Sequence, residues 1–475
     1  MARALGWLPM LLLLLLFCSC AQSSPLNTSS STNERWFMQK LDHFDQKEIF
    51  WRQRYFINDA FYKPGGPVFL MIGGMGSAKR NWTSRNLPFV AYAERLGALC
   101  LVLEHRFYGR SQPTGDLSTA SLRYIRNHQV LGDIANFRIK IAKLMGLTKN
   151  KWVAFGEFYG GSLAVWSRIK YPDLFAAAVG SSAPVKAEIN FDEYFEEVQV
   201  SLDAHNSECS SSVYLALREV TKRLIHQKHY SKLKRDFMLC EPLQIDSKQH
   251  ATFVLENLMS FLIPIVQYNK KRKSVMNILS TDDFCKKMTE TPLSSPYHRY
   301  ARIMSNRIKN ANLSCLDANY NHHLRRMSET SLNNGNILQV RQRLYQCCTE
   351  FGFFQTTDSK YQSFSELPLR YFLKQCSDVF GSEYSFSALN RSAQALNKYY
   401  GGFNVKGSKI IFSNGSLDPW SALGITKDIN KNFRAVLIEG EAHCADMDEK
   451  MDSDSAELIQ AREKIFQILQ EWLKE

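Results

Sequence analysis

Beyond its first 21 residues the chain has no run approaching the roughly 18 to 20 uncharged apolar positions that a membrane-spanning helix needs. It has no HExxH helix and no CxxC pair, so the commonest sequence signatures of a bound metal are missing, and neither metal nor cofactor is expected. Acidic residues are in short supply: 46 Asp and Glu stand against 59 Lys and Arg, a formal charge of +13. The densest basic run, Lys270-Lys271-Arg272-Lys273, reads as a solvated loop. Internal repeats are lacking, and the only biased tract is Ser/Thr-rich, Ser23 to Thr32, which reads as a flexible tail.

What is present at the start is a leader. Arg3, an apolar run from Leu8 to Phe17 and the small residues Ser19-Cys20-Ala21 have the order of a secretory signal, with the mature start near Gln22. The mature protein is expected to be soluble in a secretory compartment: the lumen of endosomes or lysosomes, or the outside of the cell. That route removes the usual opportunity for nucleic acid, although a polyanion or an acidic surface stays open to the basic chain. Cys18 and Cys20 leave with the leader, so Cys100, Cys209, Cys240, Cys285, Cys315, Cys347, Cys348, Cys376 and Cys444 remain. Their number is odd, so in an oxidising lumen most should pair and at least one should not. The sequons at Asn27, Asn81, Asn312 and Asn390 suit the same route. A further sequon at Asn414 falls in a segment expected to wall the active site. His322-His323 reads as a solvated pair rather than a ligand set.

Apolar runs at Pro67–Ile72, Leu99–Leu103, Trp152–Phe155 and Phe175–Val179 alternate with helix-length segments at Leu87–Leu96, Gly132–Leu147 and Ser162–Lys170. Continuous apolar runs suit strands buried on both faces of a parallel sheet, and the alternation predicts an α/β fold. From about Lys186 to Tyr400 the chain turns charged and helical in period, and it holds seven of the mature cysteines. Strand-like runs return at Lys409–Ser413 and Arg434–Ile438, and Ser455–Glu475 places its apolar residues along one helical stripe. The expected organisation is a signal peptide over 1–21, a tail over 22–32, one α/β domain over 33–185 and 401–475, and a helical, disulfide-braced cap over 186–400.

In an α/β-hydrolase the nucleophile stands at the middle of G-x-S-x-G, because flanking glycines let the backbone turn sharply and push one side chain into the cleft. Here a strand leads into Gly156-Glu157-Phe158-Tyr159-Gly160, then a helix. The acid and base should follow in chain order on loops after later strands. Ser413-Asn414-Gly415-Ser416-Leu417-Asp418-Pro419-Trp420 and Gly440-Glu441-Ala442-His443-Cys444 supply Asp418 and His443 in that order.

Through nearly all of the mature chain the sequence resembles the serine exopeptidase family that includes lysosomal Pro-Xaa carboxypeptidase and dipeptidyl peptidase II. The matching elements are Gln39-Lys40-Leu41-Asp42-His43-Phe44, Ile72-Gly73-Gly74, Glu104-His105-Arg106-Phe107-Tyr108-Gly109, Gly161-Ser162-Leu163-Ala164, Ser182-Ala183-Pro184, Cys348-Thr349-Glu350-Phe351-Gly352, Asn414 to Trp420, and His443. The resemblance implies an α/β-hydrolase fold with a helical cap, and peptidase chemistry that often acts beside proline. It leaves a homodimer open. Two positions depart from the family pattern. The elbow serine, in a Gly-Gly-Ser-Tyr context in relatives, is Phe158 here, and Gly73-Gly74-Met75-Gly76 carries methionine where relatives commonly carry glutamate. Backbone N–H donors survive a side-chain change, so an oxyanion hole from Tyr159 and the neighbourhood of Met75 is still expected.

Three readings stand. In the first, Phe158 ends covalent catalysis. In the second, Ser162 substitutes, although it lies about one helical turn, roughly 5–6 Å, away. In the third, the chain binds peptides, proline-containing ones among them, without cutting them. Cys444 is expected to be paired or buried rather than a nucleophile. Cys347-Cys348 is expected to serve packing or a disulfide, and Glu104-His105-Arg106 a buried charge network rather than recognition of a substrate terminus.

Overall fold

Runs without a charged side chain become strands covered on both faces. Val68–Ile72 (β3) and Leu99–Leu103 (β4) are buried at every position. They belong to an eight-stranded sheet in the order β1-β2-β4-β3-β5-β6-β9-β10, where β1 is Glu34–Lys40, β2 Phe50–Asn58, β5 Trp152–Glu157, β6 Ala177–Ser181, β9 Ile410–Gly415 and β10 Phe433–Ile438. Pairings from β4 to β10 are parallel; β1 and β2 add an antiparallel edge. This computed structural model describes residues 33–241, 243–268, 279–290, 294–332 and 338–475. The expected signal peptide, the tail with its Asn27 sequon and the Lys270–Lys273 run lie outside the described residues.

The strand period of two divides the core. Phe69, Met71, Val153 and Phe155 face one layer with helices Pro88–Leu96 and Ala456–Lys474, which contribute Phe89, Leu458, Ile465 and Trp472. Leu70, Ile72 and Ala154 face the other, with helices Asn127–Leu144 and Phe158–Lys170, which contribute Ile134, Phe137, Leu163 and Trp166. The expected α/β-hydrolase sheet is therefore present. Two expected boundaries move: the helix assigned to Gly132–Leu147 starts at Asn127, and the one assigned to Ser162–Lys170 starts at Phe158. The hairpin of β1 and β2 was not read from the sequence, because polar and charged residues interrupt its apolar ones, as suits a sheet edge.

Between Val185 and Tyr400 the described residues are mainly helical, with a short parallel pair, β7 (Glu188–Asn190) and β8 (Gly352–Phe354). Disulfides join Cys209 to Cys285, Cys240 to Cys315 and Cys348 to Cys376. Cys100, Cys347 and Cys444 are buried thiols outside those bridges. One helical stretch, Lys248–Tyr268, has the length and apolarity of a membrane span. It is broken into Lys248–Met259 and Leu262–Tyr268 and is largely buried among the other cap helices.

The reading of His322-His323 as a solvated pair is corrected. On helix Tyr320–Ser328 consecutive residues point about 100° apart, so one of two neighbours falls on the buried stripe of Tyr320, His323 and Met327. His323 packs 4.7 Å from the Phe253 ring, and burial pushes its imidazole down to about 4. His322 stays half-exposed, 3.6 Å from Asp317. Of the sequons, Asn312 is exposed while Asn81 and Asn390 are half-buried. Asn414 is buried and its Nδ2 donates to Ile425 O at 3.0 Å, which leaves no room for a glycan.

Glu104, His105 and Arg106, at the carboxyl end of β4, are buried. Glu104 accepts from Arg54 Nη2 at 2.5 Å, the Ser111 hydroxyl at 2.7 Å and the Ala78 and Arg110 N–H groups at 3.0 Å each. Arg106 donates to both oxygens of Asp133 at 2.6 Å, on helix Asn127–Leu144. These groups fasten the sheet edge to its helix, as the charge-network reading expects. Removing one member strands the other charge without solvent, so Asp133→Ala should lower unfolding free energy by about 3–5 kcal/mol in a denaturant titration. The double change Arg106→Met with Asp133→Leu should lower it by less.

Candidate active site

β5 passes into its helix over a turn that only small residues allow. A Cβ on Gly156 would lie 2.1 Å from the Gly160 carbonyl oxygen, and one on Gly160 would lie 2.5 Å from the Ile72 oxygen of β3. Between these glycines Phe158 takes φ +51°, the left-handed region that a residue with a Cβ enters at a cost of about 1–2 kcal/mol. The geometry is that of a nucleophile elbow, and it aims the side chain of residue 158 at the loops after β9 and β10. The Phe158 ring is 5% exposed. It meets the Trp420 ring edge-on at 4.5 Å and the His443 ring at 5.5 Å.

The two expected partners are brought together. His443 Nδ1 donates to Asp418, 2.9 Å from Oδ2 and 3.0 Å from Oδ1, with both residues buried. A carboxylate accepts only, so the contact fixes the proton on Nδ1 and leaves Nε2 as the basic nitrogen. Asp418 also accepts the Trp420 N–H at 3.0 Å, capping the short 3-10 turn Pro419–Leu423. The loop carrying His443 is pinned by Cys444 N–H donating to Ser182 Oγ at 2.9 Å. Cys444 is thus buried beside His443, as expected, with its own backbone at φ +54°.

Ser162 does not reach the centre. It is fully buried, and its hydroxyl lies 2.7 Å from Pro184 O and 3.3 Å from Phe158 O, backbone acceptors that direct it away from His443. Tyr159 is the second residue of its helix, so its N–H is among the first four without an intrahelical acceptor. Across from it, the Gly73-Gly74-Met75-Gly76 loop packs tightly: a Cβ on Gly74 would sit 3.0 Å from Gly160 N. Met75 is buried, so its side chain does not line an open cleft.

One contributor that no motif indicated is Gln267, from the cap helix Leu262–Tyr268. Its backbone oxygen accepts the His443 N–H at 3.0 Å, and its side-chain oxygen accepts from Tyr194 OH at 2.9 Å and Trp420 Nε1 at 3.2 Å. The neighbouring Tyr268 ring stands 6.0 Å from that of His443. A lone glutamine in an apolar helix, Leu262-Ile263-Pro264-Ile265-Val266-Gln267, was the only available signal.

An elbow after β5, an acid after β9 and a histidine after β10 define the frame of an α/β-hydrolase. Residues 39–465 match the family model for serine carboxypeptidase S28, and the chain belongs to that family. It is 35% identical to thymus-specific serine protease of Homo sapiens over 457 residues, 92% of this chain and 86% of that protein. The figure is 34% over 452 residues for the Mus musculus protein of the same name, covering 93% and 87%. Lysosomal Pro-X carboxypeptidase of Homo sapiens is 27% identical over 467 residues, 93% of this chain and 88% of that one.

Beneath the elbow, the Tyr159 hydroxyl donates to Asn127 Oδ1 at 2.7 Å, and Asn127 N–H donates to the Glu350 carboxylate at 3.1 Å. Burial pushes the Glu350 carboxyl from 4.5 up to about 7, against the pull of Arg126 and the Asn127 N–H. An acid whose folded pKa is raised keeps its proton longer than in the unfolded chain, so stability falls as pH rises between those values and the loss is complete above the upper one. Glu350→Gln should remove up to about 3 kcal/mol of that fall, measured as unfolding free energy at pH 4.5, 6 and 8.

Proposed function

We propose that this protein is a secretory-pathway member of the serine carboxypeptidase S28 family in which Phe158 stands where relatives place the nucleophile, so that it holds peptide ligands without covalent turnover. The observation that carries the reading is the Phe158 ring, buried at the elbow with its centroid 5.5 Å from that of His443. Acyl transfer needs a hydroxyl or thiol within hydrogen-bond reach of the base. A benzyl group has no proton for His443 to take and no lone pair to attack a carbonyl. Asp418 and His443 are the orienter and base of such a reaction, and Tyr159 with the Met75 loop its oxyanion hole. Without the first nucleophile, their residual effect leaves a rate about a million-fold below that of a complete triad.

Rescue by Ser162 would require its hydroxyl to give up the Pro184 carbonyl and cross about one helical turn, where errors far smaller already cost large factors in rate. The leader sequence and three cap disulfides support a route through an oxidising compartment, ending in the endolysosomal lumen or outside the cell. Peptides with proline are the ligand class that the family resemblance favours.

A fluorophosphonate probe, which reacts only with an activated serine, should leave the purified protein unlabelled. Labelling that Ser162→Ala abolishes would overturn the reading. Phe158→Ser should gain both probe labelling and hydrolysis of proline-containing peptides, at least about a thousandfold above the parent chain.

A further inference from the structure

Between elements of the cap lies a partly open cavity of about 150 Å3 that none of the elbow chemistry uses. Its apolar wall comes from several elements: Met259 and Ile263, Leu344 on helix Leu338–Gln346, Phe354 on β8, and Phe372 on helix Leu369–Phe380. Its polar lining is sparse and of both signs: Arg343 on one hand, Glu256 on the other, with His323 and Gln355. His323 is 3% exposed, yet its Nδ1 has no hydrogen-bond partner among the described residues, and neither does Gln355 Nε2. A buried polar atom left unmatched costs about 1–3 kcal/mol; both atoms are closed off from the cavity, so Arg343 and Glu256 are the charged groups that a ligand would meet.

The geometry points to a second binding site, inside the cap, for the zwitterion of a free apolar amino acid of leucine size. A cavity near 150 Å3 takes an apolar group about as large as benzene, enough for the branched side chain of leucine. Arg343 is a donor only, which suits a carboxylate. Glu256 is an acceptor when ionised. In that form it suits an ammonium, while His323 is held by its Nε2, 3.4 Å from Gln375 Oε1. The branched side chain would lie against Met259, Ile263 and Phe372. The site stands apart from the reading of Phe158; Phe353, which lines the cavity, packs edge-on to Trp420 at 5.4 Å, and Phe195, which also lines it, reaches Trp420 through Tyr194.

Glu256 sets the pH at which the site is complete. Burial pushes it up to about 7, while hydrogen bonds from Tyr371 and Gln375 on the facing helix pull it down. Tyr320 and His323 face it from helix Tyr320–Ser328, and Arg343 lines the same cavity. His323 at about 4 and Cys347, pushed up to about 11, keep their neutral forms between pH 6 and 8. Raising the pH through 7 therefore adds the negative charge that the ammonium needs, and leucine itself stays zwitterionic throughout.

The test is calorimetric titration of the full-length protein with L-leucine at pH 6 and pH 8, beside L-leucinamide and 4-methylpentanoate, which lack one charge each. Saturable leucine binding is expected, tighter at pH 8, with each analogue weaker by about tenfold or more, as loss of a charge-assisted hydrogen bond implies. Glu256→Gln and Arg343→Gln should each weaken leucine binding by a similar factor, and Glu256→Gln should abolish the pH dependence. Cys347 also lines the cavity, so leucine should slow its modification by a small methanethiosulfonate, a readout in the unaltered chain. Absence of saturation, equal affinity for the three compounds, indifference to both variants, or binding that leaves Cys347 unprotected would each overturn the proposal. So would tighter binding of Leu-Gly-Gly than of leucine, which would assign the cavity to a peptide end.

Discussion

The close approach of the helix Phe158–Lys170 to strands β5 and β3 sets the conformation of everything at the cleft. With no room for a Cβ at residues 156 and 160, the chain reaches the helix by placing residue 158 in the left-handed region, side chain outward. A small polar side chain there is presented but gains little contact to offset about 1–2 kcal/mol of strain. A phenyl ring at 5% exposure gains about 1.5–3 kcal/mol from burial, and somewhat more from edge-on contacts with Trp420 and His443. The same backbone turn that would expose a nucleophile here organises an aromatic cluster, and at this position the packing outweighs the strain.

That balance bears on why Asp418 and His443 stay in register. Each has a structural task besides any chemical one. Asp418 caps the turn Pro419–Leu423 and so seats Trp420, while the backbone of His443 is held by Gln267 O on the cap. Both are buried, and a buried carboxylate without its partner would be left uncompensated at several kcal/mol. The pair therefore persists on grounds of folding alone. Its geometry is compatible with catalysis without being evidence of it, and the functional question falls on the atom types at residue 158.

How much of this was legible in the sequence depended on the range of the interactions involved. The parallel strands were readable because burial on two faces makes a local apolar run, as in Leu99–Leu103. The placement of Phe158, Asp418 and His443 was readable because each sits near a strand end marked by Gly or Pro. The hairpin of β1 and β2 was not, since its alternation is diluted by Arg35, Gln39, Arg52 and Gln53. Within the cap, periodicity gave helices but not their packing. His323 was misjudged because its environment comes from Phe253 and Gln375, residues distant in sequence. Gln267 was missed because one amide in an apolar helix looks like any other until its three partners are seen.

An aromatic chain links the two regions where chemistry and cap meet. Phe158 packs on Trp420, and Trp420 packs on Phe191, Tyr194 and Phe353. Phe353 in turn stacks at 5.2 Å on Phe351, which also meets Tyr159 beside the elbow. Rings at such separations fit one another's shape, and interiors at this density transmit a shift rather than absorb it. A change of side chain at 158 is thus felt by the cap wall as well as by His443. Conversely, Gln267 anchors Trp420 and Tyr194 from the cap side, so movement of the helix Leu262–Tyr268 would loosen the wall around Phe158. The cap acts as part of the site wall, and the state of the elbow cannot change without repacking it.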